Sequence, residues 1–130
     1  MGLGIGRVVS TPEDLNDFIR GYVEGELYSD EVREEQQDLF IPGGASEPNG
    51  PGDNSATMSL FRYQTECGTV YSHSGNTFGY TQYAVASPDG RRSATVSISL
   101  QRTQKDTGQK LDVYTAQKRV WDAAICFIFE

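Results

Sequence analysis

Four strand-like segments follow one another in the second half of the chain, and they constrain the fold more than any other feature. They are rich in β-branched and aromatic residues and cover 57–64, 69–74, 79–87 and 92–101. Between the last two, Pro88, Asp89 and Gly90 combine a restricted φ with an unhindered glycine, which is typical of a hairpin turn. In the last segment apolar and polar residues alternate, which predicts one buried face and one polar, less covered face.

Helical patterns stand before and after these strands. Ser10 or Thr11 can cap a first helix that Gly25 ends, and a shorter helix is expected after Ser29. A last helix is predicted from about Gln109 to Phe127. Its predicted apolar stripe consists of Val113, Ala116, Val120, Ala123, Ala124 and Phe127. The fold class is therefore α+β, with an antiparallel sheet of about three to four strands and the N-terminal and C-terminal helices packed on one of its faces.

Length and composition exclude several classes of protein. The 130 residues suit a single domain over 1–130, within which four Gly and three Pro predict a flexible surface loop at 42–56. Eleven Lys and Arg stand against eighteen Asp and Glu, and the net charge of −7 argues against nucleic acid as a partner. No apolar run approaches the roughly 18 residues of a membrane span. The N-terminus also lacks the cationic and apolar regions of a secretory signal peptide.

Two cysteines and one histidine limit the chemistry. Cys67 and Cys126 lie outside any CxxC pair, and a catalytic thiol, free core thiols and a disulfide are all open. The single histidine, His73, leaves a zinc site short of ligands, so neither a metal nor a cofactor is expected. Nucleophilic catalysis would need an activated serine, but Ser72 and Ser74 point to the strand face opposite that of His73. By itself this segment offers one wall of a polar pocket.

Three segments resemble a known family. Residues 67–80 (CGTVYSHSGNTFGY) and 84–97 (AVASPDGRRSATVS) are similar to the C-terminal part of serine-type D-alanyl-D-alanine carboxypeptidases and class C β-lactamase-like hydrolases. Residues 8–15 (VVSTPEDL) resemble a helix start further upstream in the same family. The resemblance covers about residues 5–127 apart from the glycine-rich loop, and it implies a partial β-lactamase/transpeptidase-like fold.

The resemblance implies roles for one strand. His73, Ser74 and Gly75 match the family's Lys-Thr-Gly or His-Thr-Gly motif. His73 would support the catalytic proton network, Ser74 would hydrogen-bond the substrate, and Gly75 would let the substrate backbone approach. Thr77 is the nearest candidate for the backbone N–H of the oxyanion hole.

Other positions depart from the family or extend the match. None of the eleven serines has Lys three residues later, and no tyrosine begins a Tyr-x-Asn or Tyr-x-Ser motif, so this chain would begin after both. Phe61 stands where some members place a carboxylate-binding arginine, unless the alignment shifts by one onto Arg62. The cysteines fall where some members join this strand to the final helix, which implies a disulfide between Cys67 and Cys126.

We therefore expect the C-terminal portion of a β-lactamase-like serine hydrolase, of carboxypeptidase, β-lactamase or esterase type, that is inactive alone. The alternative is a non-catalytic binding or assembly module derived from half of that fold, because strand 92–101 would have an unpaired edge. Expected partners are the complementary N-terminal part of the fold or a second copy, by dimerisation or strand exchange. A completed, penicillin-binding site would take a peptide-, β-lactam- or ester-like molecule. The family implies a secreted or cell-envelope bacterial protein, and leaves peptidoglycan peptides, β-lactams and simple esters all open as substrates.

Overall fold

The computed structural model describes residues 8–42, 53–57, 59–101 and 108–130. Within these ranges the strands form one antiparallel sheet in the order β1 to β6, and three helices accompany it. The class is α+β as predicted, but the sheet has six strands rather than three to four. The elements are α1 (Pro12–Glu24), α2 (Asp30–Asp38), β1 (Ile41–Pro42), β2 (Asp53–Ala56), β3 (Phe61–Thr65), β4 (Gly68–Thr77), β5 (Tyr80–Ala86), β6 (Ser93–Ile98) and α3 (Gln109–Phe127).

The two additional strands lie at the ends of the predicted loop 42–56. β2 pairs along β3, and the two-residue β1 pairs with β2. The prediction of a loop is therefore wrong at both ends, because pairing with β3 provides order that a Gly- and Pro-rich composition does not indicate. Residues 43–52 of the predicted loop lie outside the described residues.

The helix boundaries follow the predicted capping signals. Thr11 and Asp14 form a reciprocal capping box at the start of α1. Gly25 ends the helix in the left-handed region at a φ of 85°, where a glycine carries no steric penalty. Ser29 caps α2 by accepting a hydrogen bond from the backbone N–H of Val32.

The helices α1 and α3 pack on opposite faces of the sheet, so the prediction that both cover one face is wrong. Two buried clusters show this: one contains Ile19 and Val23 of α1, and the other contains Trp121 and Ile125 of α3. Successive residues of β5, such as Val85 and Ala86, are both fully buried and belong to different clusters. Because neighbouring residues of a strand point to opposite faces, each apolar face requires its own helix. None of the described helices is long and apolar enough to cross a bilayer.

The face that α3 presents to the sheet differs from the predicted stripe. Its buried residues are Tyr114, Gln117, Trp121 and Ile125, with Ile128 just beyond the helix. In the predicted stripe, Val113, Val120 and Phe127 are 38%, 47% and 72% exposed. The helix is apolar on two sides, and the side with the large aromatic residues faces the sheet because it buries more apolar area.

Two local features of the second half are as expected. The backbone N–H of Ser87 donates to the carbonyl of Arg92 across the Pro88–Gly90 turn, at 2.9 Å. A disulfide joins Cys67, in the turn just before β4, to Cys126 in the last turn of α3, with 5.1 Å between the Cα atoms. The first half of β4 is thereby tied covalently to the helix that covers one face of the sheet.

Candidate functional site

The C-terminal half of β4 has a partner on one side only. β5 pairs with β4 from Tyr71 to Thr77, whereas the pairing of β3 stops at Ser72, opposite Phe61. Among the described residues no other strand lies beside His73–Thr77 on the β3 side. Backbone donors and acceptors on this edge of β4 are therefore available to a ligand.

A groove of about 540 Å³ lies between this end of the sheet and the start of α1. Its sheet wall is polar and contains Gly75, Asn76, Thr77, Gln82, Thr95 and Ser97, whereas the α1 wall contains Val8, Val9, Ser10, Pro12 and Leu15. The volume is in the usual range of small-molecule sites, about 300–1,000 Å³. None of these lining residues is charged, so the groove suits a neutral polar ligand.

Hydrogen bonds set the positions of both walls. The Thr95 hydroxyl donates to Oδ1 of Asn16 at 2.9 Å and so joins β6 to α1. On the α3 face of the same strands, the buried hydroxyl of Thr81 donates to Oδ1 of Asn76 at 2.7 Å. The capping box at Thr11 already uses the first donors of α1, which leaves the helix start less available to an anion. The hydrogen bond between Thr95 and Asn16 therefore joins the sheet wall of the groove to its α1 wall.

Two of the predicted substrate-binding residues, Gly75 and Thr77, line this groove. Ser74, the residue between them, pairs instead opposite Tyr83, whose ring packs under α3. Because successive residues of a strand point to opposite faces, Ser74 lies on the α3 face while Gly75 and Thr77 lie on the other. The structure therefore brings Gly75 and Thr77 together and leaves Ser74 on the other side of the sheet.

His73 and Arg62 lie outside the groove lining. The exposed His73 ring stacks on the ring of Phe61, with centroids 5.1 Å apart and 16° between the planes. The guanidinium of Arg62 lies 4.6 Å from the centroid of the Phe40 ring, and its Nε donates to the Ser55 hydroxyl at 3.1 Å. The side chain of Arg62 therefore contacts Ser55 on β2 and Phe40 just before β1, and not the groove.

Four residues of the sheet wall were not predicted from the sequence as site residues: Asn76, Gln82, Thr95 and Ser97. The signal for two of them was present, since Thr95 and Ser97 belong to the polar, less covered face expected for the last strand. Asn76 follows the His73–Gly75 motif directly. Within the described residues, no cluster of three or more His, Cys, Asp or Glu side chains could hold a metal ion.

No protein-family model matches the sequence. Among solved structures, the chain is similar to a D-stereospecific amidohydrolase from Streptomyces sp., with a TM-score of 0.59 and 22% sequence identity. The chain has a hydrolase-like fold. The similarity covers 79% of this chain but only 28% of the amidohydrolase chain, so this chain spans less than a third of the length of that enzyme. At this level of identity the similarity concerns the fold alone.

Proposed function

We propose that this chain is the C-terminal portion of a serine hydrolase of the carboxypeptidase and β-lactamase type, and that it supplies one wall of the active site. The observation that carries the proposal is the free edge of β4 at His73–Thr77 beside an uncharged groove. An extended ligand can add to such an edge through backbone hydrogen bonds. A Cβ at Gly75 would meet no atom of the described residues within 4 Å, apart from its own chain neighbours, so the space beside this glycine is open to a ligand.

The residues of the groove favour an amide or ester over a free carboxylate. None of the described lining residues is charged, and Arg62 contacts Phe40 and Ser55 instead. The register pairs Thr77 with Tyr80 across the β4–β5 turn, so in our proposal a backbone N–H on the free edge of β4, and not that of Thr77, stabilises the oxyanion. His73, two residues before Gly75 on the same strand face, takes part in proton transfer. The name of the structural neighbour describes hydrolysis of an amide with D-stereochemistry, so a D-configured amide is the substrate class to test.

The nucleophile must come from another polypeptide segment. Acyl transfer needs a serine beside a proton acceptor, and no serine of this chain has Lys three residues later. We expect no covalent adduct when the chain is incubated with a reactive penicillin and its intact mass is measured. An added mass equal to that of the penicillin would contradict the assignment of the nucleophile to another segment.

Ligand binding to the groove can be measured without turnover. Titration of the ¹⁵N-labelled chain with D-alanyl-D-alanine amide should shift the amide resonances of Gly75, Thr77 and Gln82, and the L,L-dipeptide amide is the matched ligand control. Gly75→Val fills the open space and should abolish these shifts. Ser74→Val, on the other face, should preserve them. Equal binding by both variants, or shifts confined to other parts of the chain, would contradict the proposed site.

The disulfide between Cys67 and Cys126 supports a secreted or cell-envelope location, because disulfides persist in oxidising compartments. In that setting the completed site would act on D-configured peptide amides or esters. A second candidate function is a non-catalytic assembly module derived from the same fold. It is favoured by the position of β6 as the last strand of the sheet.

A further inference from the structure

One row of residues crosses the sheet wall of the groove at right angles to the strands. Gly75 on β4 pairs with Gln82 on β5, and Gln82 pairs with Ser97 on β6. Directly paired residues of neighbouring strands point to the same face of a sheet, and all three line the groove. The row therefore leads from the free edge of β4 across the groove to β6.

Gly75 leaves this row open at its first position. The residues two positions away on the same face, His73 and Thr77, both carry side chains. A Cβ at Gly75 would meet no atom of the described residues within 4 Å, apart from its own chain neighbours. Any larger side chain here would stand between the free edge of β4 and Gln82. Because it is absent, a ligand at this edge can reach over β4 to the next strand.

The group that such a ligand would meet is the side-chain amide of Gln82. This residue is half-buried and lines the groove. Within the described part of the chain, no side-chain hydrogen bond engages its amide. The Thr95 hydroxyl on β6, by contrast, is already bonded to Asn16. An amide has an acceptor oxygen and two N–H donors, so Gln82 can both donate to a ligand and accept from it.

A neutral carboxamide is the ligand group that matches Gln82 best. It also has a donor and an acceptor, so two amides can form two hydrogen bonds with each other. A carboxylate offers acceptors alone, and it is disfavoured because the described lining has no cation and the chain has a net charge of −7. An apolar side chain would displace water from the Gln82 amide without replacing its hydrogen bonds.

The distance between strands sets the length that the ligand side chain needs. A ligand backbone paired with the free edge of β4 would lie two strand spacings from β5, or about 10 Å. A glutamine-length side chain on the ligand and that of Gln82 can meet over Gly75, whereas an alanine side chain is too short. Because side chains alternate along an extended ligand, only one ligand residue in two faces the groove.

We propose that Gln82 selects a ligand whose groove-facing residue has a carboxamide side chain of glutamine length. Backbone pairing with β4 supplies the general affinity, and the contact with Gln82 supplies the preference among side chains. The inference rests on the proposed function, because it requires a D-configured amide to bind along the free edge of β4.

NMR titration of the ¹⁵N-labelled chain can compare dipeptide amides that differ in one side chain. The reference is D-alanyl-D-alanine amide, and the variable residue is D-glutamine, D-methionine or D-glutamate, placed first or second. At one of the two positions D-glutamine should bind at least about fivefold tighter than D-methionine, as expected for two added hydrogen bonds. It should also shift the side-chain NH₂ resonances of Gln82. D-glutamate should bind no tighter than the reference.

A pair of variants separates this contact from general binding. Gln82→Met keeps the length of the side chain but removes the amide, so it should abolish the preference for D-glutamine over D-methionine. Gln64→Met is the matched control and should retain the preference, because Gln64 is exposed and lies beside the disulfide. Circular dichroism should show both variants folded.

The reference ligand distinguishes failure of this inference from failure of the proposed function. If D-alanyl-D-alanine amide shifts the Gly75 resonance but the wild type binds D-glutamine and D-methionine ligands equally, the selection by Gln82 is wrong and the proposed function stands. A preference that persists in Gln82→Met would have the same meaning. If none of the ligands shifts the Gly75 resonance, both are overturned.

Discussion

The disulfide between Cys67 and Cys126 should account for a large part of the stability of the chain. It closes a loop with a sequence separation of 59 residues. In the chain-entropy model a loop of this length removes unfolded-state entropy equivalent to about 4 kcal/mol at 25 °C. The free energy of unfolding of a domain is about 5–15 kcal/mol. The double variant Cys67→Ser, Cys126→Ser should therefore have a much lower free energy of unfolding than the oxidised protein.

Urea unfolding followed by the fluorescence of Trp121 measures this loss. Trp121 is the single tryptophan and stacks on Tyr83 in the core, so its emission reports the packing of α3 on the sheet. The double-serine variant and the reduced wild type should agree with each other and lie about 4 kcal/mol below the oxidised wild type. A loss below about 1 kcal/mol in both would refute the loop-closure argument.

Three further changes have outcomes that urea unfolding can measure. Burial raises the pKa of Tyr83 well above its ordinary value, so stability should fall as the pH rises above about 10, where the unfolded chain ionises first. Tyr83→Phe should reduce that fall but not abolish it, because burial also raises the pKa of Tyr28. A hydrogen bond from the Ser87 hydroxyl lowers the pKa of Asp89. The stabilising contribution of the Asp89 carboxylate is therefore present above about pH 4 and is lost as the pH falls through its folded-state pKa. Asp89→Asn should make the free energy of unfolding less dependent on pH in this acidic range. The amide of Gln117 is buried with no hydrogen-bond partner among the described residues, so Gln117→Leu should raise the free energy of unfolding by about 1 kcal/mol, and a loss would show that the amide is paired.

Elements with strong local signals can be predicted from this sequence. The cap at Thr11 and the stop at Gly25 give the ends of α1, because both act within one helical turn. The Pro88–Gly90 turn gives the β5–β6 hairpin for the same reason. β2 is different, since its residues become a strand only by pairing with β3.

The buried face of α3 cannot be decided from periodicity alone. One side carries Val113, Val120 and Phe127, and the adjacent side carries Tyr114 and Trp121. Both satisfy a helical repeat, so the sheet determines which is buried. The buried side is interrupted by a polar residue, Gln117. The stripe on the exposed side is therefore the more regular apolar pattern in the sequence.

The groove also depends on contacts between distant residues. A two-residue period predicts that Gly75 and Thr77 share a face and that Ser74 does not. It does not predict which helix covers that face. The hydrogen bond between Asn16 and Thr95, 79 residues apart, sets the distance between the two walls.

The two walls of the groove belong to parts of the chain with different covalent constraints. The loop closed by Cys67 and Cys126 contains β4, β5, β6 and α3, whereas α1 lies outside it. Local unfolding of α1 would open the groove while the cross-linked part of the sheet stays folded. The width of the groove is then governed by a local equilibrium and not by global unfolding. A ligand that contacts both walls would slow hydrogen exchange of the α1 amides, and that protection would report occupancy even in a chain without its own nucleophile.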